Sequence, residues 1–141
     1  MRLKVRKSSV KSAEDIANIL FAVLASEDPI DQQKEHFWAI GLNSRKQIKY
    51  IELVSLGIIN CSLVHPRETF RLAIFEGVEA IIVAHNHPSG DIEPSEFDDK
   101  VTKQLVEAGK IINIQVLDHV IIGNDNGSFY SFKAEKPGMF I

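Results

Sequence analysis

The chain has one cysteine, Cys61, and one tryptophan in 141 residues. A lone thiol makes no internal disulfide and no cysteine-only zinc site, which removes disulfide-framed domains and zinc ribbons. Long hydrophobic runs are missing as well. The longest, Ile19 to Ala25, is seven residues, against the roughly 20 that span a bilayer. Glu14 and Asp15 stand just before it, which argues against a signal peptide. Charge of one sign is also lacking. Sixteen Lys and Arg against 19 Asp and Glu leave −3, so the balance gives no support to a nucleic-acid partner, which calls for a basic excess or a basic face. No repeat, low-complexity tract or linker is present. What remains, 45% hydrophobic and 25% charged residues, is the composition of an ordinary globular domain. The expectation is one cytoplasmic domain over residues 1–141, its core between about 12 and 133.

Patterning predicts an α/β fold with a single mixed β-sheet flanked by helices. Arg2–Lys7 alternates as a short edge strand, one that could pair with a second copy. Ser12 with Asp15 three residues on predicts a capped helix to Ala25, and 26–34 is expected to be a loop. Glu35–Leu42 and Gln47–Leu56 form a hairpin. Pro66 begins a helix that Gly77 ends. Ala80–Ala84 is a buried central strand. A helix is expected from Ser95 to Gly109, then a strand Ile114–Ile122, a turn at 124–127 and a last strand Ser128–Phe132.

The chemistry concentrates between His85 and Asp98, spaced H-x-H-P-x6-S-x2-D. Two histidines two apart at a strand end point to one side, and Asn86 points to the other. Pro88 and Gly90 stop the strand, and Ser95 restarts the chain as a helix with Asp98 in its first turn. If that helix folds back over the strand end, two imidazoles and one carboxylate form a tripod that suits Zn²⁺ with a water in the fourth position. Ser95-x-x-Asp98 is equally a capping-box pattern, and a carboxylate in a first helical turn is favoured by the helix dipole alone. Spacing therefore leads to a divalent metal site and no further. H-E-x-x-H is absent. A zinc deaminase needs P-C-x-x-C, which Cys61 alone cannot supply. The contiguous letters His-Asn-His do not make an HNH nuclease, whose residues are spread along a ββα unit.

At these residues the sequence resembles the RadC family, whose common domain is of the JAMM (MPN-type) metalloprotease class. The resemblance runs from Glu35-His36-Phe37 through Gly57 to Val64-His65-Pro66-Arg67-Glu68. It continues over Ala84–Gly90, Pro94-Ser95-Glu96 and Asp98 to Leu117-Asp118-His119 and the last strand. It implies a JAMM/MPN-like fold with cytidine-deaminase-like layering, and a short form without the amino-terminal helix-hairpin-helix region of longer members. It further implies Zn²⁺ held by His85, His87 and Asp98, a glutamate base working on zinc-bound hydroxide, and a serine steadying the oxyanion. Ser95 matches that serine. Glu35 is the best match for the glutamate and Glu52 the runner-up, although a mid-strand carboxylate among apolar neighbours is costly.

His119 is either a hydrogen-bonded core residue or a partner behind the ligands. His65 and Arg67 flank Pro66 and read as capping residues more readily than as an anion site. Cys61 and Trp38 read as core, and Lys100 and Lys103 as solvated helix charges. The expected activity is zinc-dependent hydrolysis of a peptide or isopeptide bond. The alternative is a non-catalytic, regulatory or DNA-repair-associated module that keeps the metal fold, with a zinc nuclease as a third reading.

Overall fold

The computed structural model describes residues 2–3, 9–57, 64–123 and 127–141. Cys61, the rest of the predicted first strand and most of the predicted 124–127 turn lie outside them. Among the described residues six strands form one sheet in the order β1-β3-β2-β4-β5-β6. They are β1 (Arg2–Leu3), β2 (His36–Leu42), β3 (Ile48–Leu56), β4 (Ala80–Asn86), β5 (Gln115–Ile122) and β6 (Phe129–Ser131). Every neighbouring pair is antiparallel except β4–β5. A parallel pair needs a crossover, and α4 (Glu96–Ile112) provides it.

Strand alternation divides the core into two layers. Ile81 and Val83 of β4 pack with Phe70 of α3 (Pro66–Glu76) and Val101 and Leu105 of α4. Ile82 and Ala84 pack on the other face with Ile16 and Leu20 of α1 (Ala13–Ala25). All seven residues of β4 are buried, as a central strand covered on both faces requires. The same alternation carries His85 to the α3/α4 face and Asn86 to the α1 face.

Local rules account for the helix ends. Ser12 Oγ accepts the Asp15 amide while Asp15 Oδ2 accepts the Ser12 amide, the reciprocal cap read from the sequence. Pro66 is the first residue of α3, and Gly77 closes it at φ 66°, a left-handed conformation that glycine adopts without a Cβ penalty. The predicted end of α4 at Gly109 is corrected to Ile112, with Asn113 taking the left-handed turn at φ 63°. Gly109 is a contact residue: a Cβ there would lie 2.4 Å from the Ile114 carbonyl oxygen, where the chain doubles back into β5. Two other expectations are refined. The 26–34 segment contains the short helix α2 (Pro29–Gln32), and Phe132 leaves the last strand to open α5 (Phe132–Glu135). Among the described residues no helix is long and apolar enough to cross a membrane.

Candidate metal centre

The site forms where β4 runs out. Continued pairing brings the His87 amide onto the Ile122 carbonyl at 2.9 Å, and a turn then closes from the Gly90 amide to the His87 carbonyl at 2.9 Å. His85 and His87 stay on the α4 face. The first turn of α4 delivers Asp98 between them, with Oδ1 3.2 Å from His85 Nε2 and Oδ2 3.3 Å from His87 Nε2. The two Nε2 atoms are 2.9 Å apart. This is the one group of three or more metal-capable side chains among the described residues.

The donor set and spacing fit an ion. A tetrahedral zinc with bonds of about 2.0–2.1 Å holds its ligand atoms about 3.3–3.4 Å from each other; the two imidazole–carboxylate contacts, one to each Asp98 oxygen, lie near that spacing, and the two Nε2 atoms stand closer. The electronics agree. His87 Nδ1 is 2.7 Å from the Asp91 carbonyl oxygen, which only accepts, so that nitrogen carries a proton and Nε2 is the ring nitrogen that would give up its proton to a metal. Burial pulls the Asp98 carboxyl upward, but hydrogen bonds from His85 and His87 outweigh it and hold the group well below the usual carboxylate range. The Asp98 hydrogen bond, working against burial, raises His87. Two imidazoles and a carboxylate that converge in this way, His85 and Asp98 buried and His87 partly open to the groove, offer a metal ion its ligands when it displaces their protons.

Ser95 is the N-cap of α4. Its Oγ accepts the Asp98 amide at 3.1 Å, and its own amide donates to Asp98 Oδ2 at 2.8 Å. The capping box thus aims the carboxylate. Replacing Ser95 with Ala is expected to cost about 1 kcal/mol, read as a lower urea midpoint at unchanged slope.

Glu35 precedes β2, and its position follows from register. Phe37 pairs with His85, so two residues back along an antiparallel neighbour Glu35 comes opposite His87 on the same face. Both line a groove of about 620 Å³ with Lys34, Gly57 and Ser89. Asn86, on the opposite face, fixes the backbone around Glu35: its Oδ1 accepts the His36 amide at 2.5 Å and its Nδ2 donates to the Lys34 carbonyl at 3.0 Å. Glu52 is elsewhere. It pairs with Ala39, one strand further from β4. Its Oε1 is buried without a hydrogen-bond partner among the described residues, and burial raises its carboxyl.

Residues 10–138 match the RadC-like JAB domain. This chain belongs to the RadC family. Among its relatives, a UPF0758 protein of Caldanaerobacter subterraneus subsp. tengcongensis is 50% identical over 119 residues, covering 84% of this chain and 49% of that protein. One from Alkaliphilus metalliredigens is 45% identical over 130 residues, 92% of this chain and 53% of the relative. One from Methanosarcina mazei is 41% identical over 129 residues, again 92% and 53%. The RadC-type chain therefore spans about half the length of these curated relatives. Its His-His-Asp group fits a JAMM-type metal site.

Several sequence expectations outside the site are met. His65 Nδ1 accepts the Arg67 amide at 3.2 Å, a helix cap, and Arg67 itself is exposed beside Glu68. Trp38 is buried and stacks on His36. Lys100 and Lys103 are exposed. His119 is different: it is fully buried, and its Nε2 is 2.8 Å from His85 Nδ1. The local sequence gives a strand histidine and nothing to aim it. A bulge does the aiming. Ile81 pairs with Val116 and Ile82 with Asp118, so Leu117 is the extra residue. That insertion flips the parity of β5 and turns His119 onto the face of His85.

Proposed function

We propose that this chain is a zinc-dependent hydrolase of peptide or isopeptide bonds, with His85, His87 and Asp98 as protein ligands, Glu35 as the general base and Ser95 as the oxyanion donor. The observation that carries the reading is the approach of Glu35 and His87 from adjacent strands into one groove beside the converging ligand atoms. Two imidazoles and one carboxylate suit zinc and leave a position open, and a bound zinc acidifies water and polarises a carbonyl oxygen.

The remaining work falls to side chains. Glu35 takes a proton from the attacking water as the new C–O bond forms and the carbonyl becomes a tetrahedral oxyanion, then delivers that proton to the amine nitrogen as the oxyanion collapses and the amide C–N bond breaks. Ser95 uses its oxygen to cap α4. Its hydroxyl hydrogen is not committed by that bond and is available to the oxyanion, a donor whose removal in hydrolases costs about 10²–10³-fold. A single cysteine fits a cytoplasmic setting.

The test is hydrolysis by the purified chain of a panel of peptides and of a probe with an acyl group on a lysine ε-amine. Cleavage should vanish with a chelator and return with zinc. Ser95→Ala should lose more than about tenfold in turnover. Zinc-loaded protein that cleaves none of these, or a Ser95→Ala variant of unchanged turnover, would remove the hydrolase or the oxyanion role respectively.

A further inference from the structure

We propose that His119, backed by Thr102, is a positioning residue that fixes the proton of His85 on Nδ1 and so presents a bare Nε2 lone pair to the metal. This rests on the metal-centre reading above and adds the residues that prepare one of its ligands.

A chain of short contacts leads to this. Thr102 Oγ1 lies 2.7 Å from the Asp98 carbonyl oxygen and 2.6 Å from His119 Nδ1, and His119 Nε2 lies 2.8 Å from His85 Nδ1. Thr102, His85 and His119 are all buried. A carbonyl oxygen only accepts, so the one Thr102 hydroxyl hydrogen lies on the contact to Asp98. Thr102 Oγ1 must then accept from His119, which puts the His119 proton on Nδ1. His119 Nε2 is left as an acceptor, and His85 Nδ1 must be the donor that meets it. Each contact fixes the next, and in the neutral His85 ring they leave the Nε2 lone pair on the side of Asp98 and His87.

The surroundings keep His119 still. Phe132 stacks on it with ring centroids 4.7 Å apart and Phe37 meets it edge-on at 5.9 Å. With the Thr102 acceptor removed, His119 gains by moving its proton to Nε2. His85 must then carry its own proton on Nε2, in the position an ion would occupy. Partners one shell behind metal ligands typically alter affinity by about 10–100-fold.

The experiment uses chelator-stripped protein at mildly alkaline pH. Long-range ¹H–¹⁵N spectra report which ring nitrogen of each histidine carries the proton, and zinc affinity is read by competition with a chromophoric chelator. The wild type should show His85 and His119 both protonated on Nδ1. Thr102→Val, which keeps the shape of threonine, should move His85 protonation toward Nε2 and weaken zinc by about 10–100-fold. His119→Gln supplies an amide oxygen as acceptor and should keep the His85 proton on Nδ1, whereas His119→Leu should not. A His85 proton on Nε2 in the wild type, or a Thr102→Val variant with both its tautomers and its zinc affinity unchanged, would overturn the inference. A wild type that binds no zinc but has the His85 proton on Nδ1 would support the positioning role while removing the metal-centre reading.

Discussion

Glu35→Gln is expected to lose about 10²-fold or more in turnover while keeping its fold and its metal. The amide matches the carboxylate in shape and still hydrogen-bonds, but it cannot take the proton of the attacking water. Nothing in the scaffold should move, because the backbone at this point is held by Asn86 on the Lys34 carbonyl and the His36 amide and not by the Glu35 side chain. Melting temperature and zinc content therefore serve as controls. Glu52→Gln, two strands from β4, should leave turnover unchanged. The reverse pattern would transfer the base to Glu52, and normal turnover in both variants would show that neither carboxylate acts.

Asp98→Asn is expected to abolish zinc binding at concentrations that saturate the wild type, a loss exceeding the roughly 10–100-fold of an outer partner. The substitution separates the two duties of this side chain. An amide oxygen can still accept the Ser95 amide, so the cap of α4 survives. The amide NH₂ can donate to an imidazole nitrogen that otherwise faces the carboxylate across 3.2 or 3.3 Å. The metal-free fold thus keeps its contacts, and only the negative charge that holds a cation is lost. Competition with a chromophoric chelator reads the affinity and thermal unfolding reads the fold. Zinc bound as tightly as in the wild type would remove Asp98 from the ligand set.

The part of the site legible in the sequence was the part governed by local periodicity. Two histidines two apart on an apolar strand share a face, and Ser95 with Asp98 marks a helix start whatever else it does. Glu35 was legible only with a family resemblance, because its approach to His87 depends on the antiparallel register of β2 against β4, a relation between residues about fifty apart. His119 stayed ambiguous for a different reason. Simple alternation counted from Val116 puts it on the α1 face, and only the extra residue at Leu117 turns it toward His85. Asn86 was seen to face away from the site, but its hold on the backbone either side of Glu35 is tertiary and left no local mark. The fold followed the same division: strands and capped helices were readable, while α2, α5 and the end of α4 were set by contacts such as the close approach of Gly109 to Ile114.

A count of metal in the purified protein decides whether these residues form a metal centre at all. Elemental analysis of protein prepared without added metal, then equilibrated with zinc and passed through a desalting column, is to be compared with His87→Ala treated identically. About one zinc per chain in the wild type and none retained in the variant is the expected result. A wild type that emerges without metal, or a His87→Ala protein that retains as much as the wild type, would contradict a metal centre at His85, His87 and Asp98.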